Sequence, residues 1–76
     1  MKELIEYIAK FIVDRPEEVT VTEGMRDDGW VILSLHVAPD DMGKVIGKQG
    51  RIAWAIRSLL KVAAVKEGAR VMLNIE

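Results

Sequence analysis

The segment Val45-Ile46-Gly47-Lys48-Gln49-Gly50-Arg51-Ile52 constrains this chain more than any other: two glycines bracket a basic and an amide residue, and a helix-like pattern lies on each side. A Gly-x-x-Gly turn without bulky side chains lets the backbone of another molecule come close. The helix that follows offers unpaired N–H groups to an anion. With Lys48 and Arg51 flanking those donors, phosphate is the anion that fits best. The plainer alternative is that the glycines end one helix and admit the next, and that Lys48 and Arg51 are solvated surface charges.

Whether that turn meets a ligand depends on the charge around it. The 76-residue chain has a net charge of -1, which by itself argues against a nucleic-acid partner. Its distribution argues the other way. Residues 1 to 43 hold four Lys/Arg against ten Asp/Glu, whereas residues 44 to 76 hold seven against two. From Lys44 to Lys66 there are six cations and no acid. An anionic partner is drawn to that stretch and repelled elsewhere. A basic helix facing an acidic one within the fold is the competing explanation.

The rest of the chain reads as one small domain, residues 1 to 76, with a single core. Leu4, Ile5, Ile8, Ala9, Phe11 and Ile12 recur at helical spacing and predict a helix over about 2 to 14, stopped before Pro16. Glu3, Glu6 and Lys10 interrupt the apolar positions, which excludes a signal peptide or membrane span there. Val19-Thr20-Val21-Thr22, the turn residues Arg26-Asp27-Asp28-Gly29 and the alternating run from Trp30 to Ala38 predict a hairpin. In the second strand Val31, Leu33, Leu35 and Val37 share the core face, and Trp30, Ile32, Ser34 and His36 share the other. Pro39-Asp40-Asp41 predicts the capped start of a short helix ending at Gly47. A long helix follows from about Arg51 to Glu67, with Gly68 as its stop, and Arg70 to Glu76 reads as a last strand with Val71, Leu73 and Ile75 inward. Ile46 and Ile52 are expected in the core, together with Ile56, Leu59, Leu60 and Ala63 of the long helix.

The element order is therefore α-β-β-α-α-β, with the Gly-x-x-Gly turn between adjacent helices and cations on its C-terminal side. Together these features resemble a KH domain, and the helix-first order resembles the type II arrangement of bacterial proteins. The length, and the run Val45-Ile46-Gly47-Lys48-Gln49-Gly50-Arg51 following Pro39-Asp40-Asp41-Met42-Gly43, are similar to the small bacterial RNA-binding KhpA family. The resemblance implies an α+β fold with a three-stranded sheet and its helices packed on one face. It also implies that single-stranded RNA, about four nucleotides, is clamped against the turn. The candidate RNA-binding residues are Val45, Ile46, Gly47, Lys48, Gln49, Gly50 and Arg51, with Val45, Ile46 and strand residues 31 to 37 as candidates for reading bases. Ala53 departs from the common KH pattern, where a larger aliphatic residue is usual, which leaves base preference open.

The family resemblance further implies homodimers and pairing with a larger Jag-like protein that carries its own KH domain. Trp54, Ser58, Lys61 and Val65 fall on the side of the long helix away from the expected core, and exposed aromatic and basic residues suit a protein interface or a base-stacking platform. They are the candidate partner surface. The same resemblance implies a role as RNA chaperone or post-transcriptional regulator, with translation, RNA decay, ribosome assembly and cell shape all open as the process served; the cytoplasm is the default compartment for a chain without cysteine or a targeting segment.

No catalytic constellation is present. His36 is the only histidine, and the absence of cysteine excludes a disulfide, a thiolate metal site or a thiol nucleophile. Asp27-Asp28 and Asp40-Asp41 sit where backbone turns want carboxylates. No nucleotide-binding glycine motif occurs. No enzyme activity, metal or cofactor is expected. Two other readings remain open: an interaction module whose RNA affinity comes from the larger partner, and single-stranded DNA as ligand.

Overall fold

The computed structural model describes residues Met1–Glu76. Helix α1 (Lys2–Ile12) ends one turn before Pro16, which opens a short 3-10 turn over Pro16–Glu18. Strand β1 (Thr20–Met25) pairs antiparallel with β2 (Val31–His36), and β2 pairs parallel with β3 (Val71–Ile75). The central strand β2 thus joins a local partner to a distant one. The hairpin closes through Arg26 and Gly29, whose φ of 88° only glycine adopts without cost, and Asp28 accepts hydrogen bonds from the Trp30 amide and the Arg26 side chain. Arg26 also forms an ion pair with that carboxylate and stands over the Trp30 ring, 5.7 Å from its centroid.

Helix α2 (Met42–Ile46), the turn and helix α3 (Arg51–Lys66) occupy the connection between β2 and β3. Alternation along the strands sends Val21, Leu33, Leu35 and Leu73 to one face, where they are buried with Ile5 and Ala9 of α1 and Ile56 and Leu60 of α3. Thr20, Thr22, His36 and Asn74 remain exposed on the other face. The helices cover one side of the sheet only, as in a type II KH fold. Helix α3 ends as expected at Gly68: its amide donates to Val65 O and that of Ala69 to Ala64 O, the two bonds of a Schellman stop.

Two local expectations are corrected. Asp41 does not cap α2 with its side chain. It is 2% exposed, and its Oδ2 accepts the Arg15 amide at 3.0 Å, tying the loop after α1 to the start of α2. The core stripe of α3 is Ala53, Ile56, Leu60 and Ala64. Leu59 is 54% exposed, Ile46 and Ile52 are more than one-third exposed, and Ala63 is only half-buried. Two alanines bracket Ile56 and Leu60 on the buried side, so the stripe is narrow and the other aliphatics of α3 stay outside it.

Candidate nucleic-acid interface

The turn between α2 and α3 is built from three residues with positive φ: Gly47 at 76°, Gln49 at 57° and Gly50 at 74°. Gly47 combines that φ with a ψ of 175°, a region open essentially to glycine alone. A Cβ there would also stand 2.5 Å from Ile52 Cγ1. Gly50 is left-handed but has open space around it, so its glycine answers to backbone conformation only. Gln49 carries a side chain in the left-handed region, a strain of about 1–2 kcal/mol. Such strain is found where a loop is held in shape for a ligand.

The candidate residues divide by position. Lys48, Gln49 and Arg51 are exposed side by side, and Arg51 Nη2 donates to Gln49 Oε1 at 3.4 Å. Val45 is fully buried in the hydrophobic core, so it anchors α2 and offers no surface to a ligand. Ile46 and Ile52 flank the turn and are 38% and 36% exposed, which leaves apolar surface beside the exposed Lys48 and Arg51. Leu33 and Leu35 of β2, and Val37 just beyond it, are buried to 1% or less and present no surface to a base. Ile52 is the residue that sequence reasoning left out of the candidate site. Its place two residues after the second glycine was the available signal, since a side chain on the first turn of a helix leans back over the preceding loop.

Electrostatics favour an anion here. No side chain caps the start of α3 at Gly50, so the positive end of the helix dipole faces solvent beside Lys48 and Arg51. All five ion pairs in the molecule are made by residues 1 to 44. Lys44 belongs to that group: its ammonium pairs with Asp14, which holds its pKa above the ordinary value. Lys48, Arg51, Lys61, Lys66 and Arg70 have no carboxylate partner, and Arg57 donates only to the Leu73 carbonyl, at 3.4 Å. The basic helix is therefore not balanced by an acidic one.

The family model for the KH domain of KhpA/KhpB matches residues 2–75. The chain belongs to that family. It is 60% identical over 75 residues to the RNA-binding protein KhpA of Clostridium acetobutylicum and 57% identical over 75 residues to that of Clostridium perfringens, each match covering 99% of both chains. The RNA-binding protein KhpA of Treponema pallidum is 54% identical over 74 residues, 97% of this chain and 91% of the relative. No solved structure matches the chain.

The candidate partner residues lie along one side of α3. Trp54 and Val65 are each 71% exposed, Lys61 is exposed and Ser58 is half-buried, its hydroxyl donating back to Trp54 O at 2.9 Å. Leu59 and Val62, 54% and 57% exposed, extend the apolar surface around the helix. No helix is long and apolar enough to cross a membrane.

Proposed function

We infer that this protein is a non-catalytic binder of single-stranded RNA that clamps the RNA backbone at the turn from Gly47 to Gly50. Gly47 and Gly50 admit the backbone, Lys48, Gln49 and Arg51 supply donors to phosphate, and Ile46 and Ile52 offer apolar contact to a base. Val45 anchors α2 in the core. The observation that carries this reading is the strained, open turn set at an uncapped helix start, among cations that no carboxylate neutralises. Relatives of nearly the same length are named for RNA binding, which favours placing the affinity in this chain over an interaction module that borrows it from a larger partner. The expected setting is the bacterial cytoplasm, and the expected role is RNA chaperone or post-transcriptional regulator, with cell shape among the processes affected.

Fluorescence anisotropy of a labelled four-nucleotide RNA tests the clamp. Lys48→Asp/Gln49→Asp is expected to weaken binding on the order of 100-fold, the loss of one to two charge-assisted contacts, with circular dichroism unchanged. Equal binding by wild type and the double variant refutes the clamp. Competition with the matching DNA oligonucleotide separates RNA from single-stranded DNA as the ligand.

A second surface supports association as a homodimer or with a larger Jag-like KH protein. It comprises Trp54, Ser58, Lys61 and Val65, joined by Leu59 and Val62, and what favours it is an outward tryptophan on a largely apolar helix face. Trp54→Glu is expected to halve the mass seen by light scattering. An unchanged mass with an intact fold rules the surface out.

A further inference from the structure

A cleft of about 340 Å³ opens where the C-terminal half of α3 meets the hairpin and the start of β3. Trp30, Val65, Ala69 and Val71 give it an apolar lining, and Lys61 and Arg70 bring two cations to it. Neither cation has a carboxylate partner. Trp30 is held by the Arg26 guanidinium over its ring, and Arg26 in turn is neutralised by Asp28. An aromatic, apolar floor with two free cations is complementary to a nucleotide: a flat base with a phosphate on either side.

The cleft is joined to the turn by one side of α3. Arg51, Trp54, Ser58 and Lys61 follow one another at three- and four-residue spacing, so they lie on neighbouring turns of the same helix side. That side alternates cation, aromatic, hydroxyl and cation, and no acid interrupts it. From Arg51 to Lys61 the helix advances about 15 Å, the rise of roughly four stacked nucleotides.

We propose that the Trp30 cleft is a second subsite for the same single-stranded RNA that the turn clamps. One base lies against Trp30 and the apolar lining, Lys61 and Arg70 hold the phosphates beside it, and Trp54 gives the intervening strand a surface to stack on. This rests on the RNA-binding reading of the turn, and it lengthens the footprint from about four nucleotides to roughly eight. The RNA path and its cleft together take in all four residues of the association surface, Trp54, Ser58, Lys61 and Val65, so RNA and a protein partner exclude each other on this side of α3. An acidic segment of a protein partner is the competing occupant.

The test uses oligouridylates of four and twelve nucleotides with wild type, Lys61→Gln/Arg70→Gln and Lys48→Asp/Gln49→Asp. Both substituted positions of the cleft variant are exposed, so its fold is kept. The many registers of the longer RNA multiply the affinity of every protein alike, so the ratio of variant to wild type is the readout. The cleft variant is expected to bind the tetramer like wild type and the dodecamer about tenfold more weakly. Its plot of log affinity against log salt for the dodecamer should be shallower by about 1.4, the contribution of two single-strand phosphates. In a Trp54→Phe background, where Trp30 is the only tryptophan, the dodecamer should change the emission and the tetramer should not. Unchanged dodecamer affinity and salt slope overturn the subsite, and so does a change in oligomer mass without a change in RNA affinity, which hands the cleft to a protein partner. Failure of the turn reading looks different: Lys48→Asp/Gln49→Asp then binds the tetramer like wild type.

Discussion

Residues 1 to 44 and residues 45 to 76 use charge in opposite ways. In the first region acids outnumber bases, yet every ion pair of the molecule forms there, and the buried carboxylate of Asp41 fixes the Arg15 amide across 26 positions of sequence. Charge in that region serves the fold. In the second region the cations are spread along a turn and a helix with nothing to neutralise them. Charge left unpaired at such density adds repulsion to the native state and is worth keeping when an anionic ligand removes it. The division teaches that net charge near zero can hide a strongly polarised surface, one half folded on itself and the other open.

Substitutions can break that division or sharpen it. The largest effect is expected at Gly47, where Gly47→Ala meets both a glycine-only conformation and Ile52, and should lower stability by about 3 kcal/mol. Gly50→Ala adds only left-handed strain in open space, about 1 kcal/mol. Urea melts of the two proteins should therefore differ severalfold in lost stability, and equal losses would show that space beside Ile52 does not matter. Next comes Asp41→Ala, which orphans the Arg15 amide and should cost about 1–3 kcal/mol while RNA affinity holds. Loss of RNA binding by a folded Asp41→Ala protein would erase the boundary between the two regions.

The smallest effect is expected from acid. Asp28 is held below its ordinary pKa of 3.8, first by the hydrogen bond from Arg26. A carboxyl lowered by folding stabilises the native state above its unfolded pKa and loses that contribution as pH falls through the lower, folded value. The Asp28 contribution should thus be intact at neutral pH and fade below about 3.8. Asp28→Asn should flatten that part of the stability profile slightly, since the pair is exposed and solvent screens it. A profile that stays the same down to pH 3 would show that the pair contributes nothing to the hairpin.

The element order, the strand faces and the turn were legible in the sequence because each has a local cause. Alternation marked Leu33, Leu35 and Leu73 as inward, Gly68 marked the stop of α3, and the Gly-x-x-Gly spacing marked the turn. The phase of α3 was not legible. Its sequence is apolar nearly all round, so periodicity cannot choose between a stripe through Ile52, Leu59 and Ala63 and the actual one through Ala53, Ile56, Leu60 and Ala64. Only tertiary packing decides, by taking Ile56 and Leu60 into the cluster formed by the sheet and α1. The role of Asp41 was hidden for a similar reason: an acid before a short helix looks like a cap, and the amide it serves lies far back in the chain. The Trp30 cleft is likewise assembled from three separate segments.

Parallel pairing of β2 with β3 has a consequence for assembly. The hairpin partner of β2 is a few residues away, but Leu33 meets Leu73 only after the chain has passed through α2, the turn and the whole of α3. Closing so long a loop is slow compared with forming the hairpin. Until β3 pairs, α3 rests on a sheet of two strands and lacks the third, Leu73-bearing edge of its core. Seating of the turn and α3 is therefore expected to lag behind the hairpin, with β3 acting as the clasp.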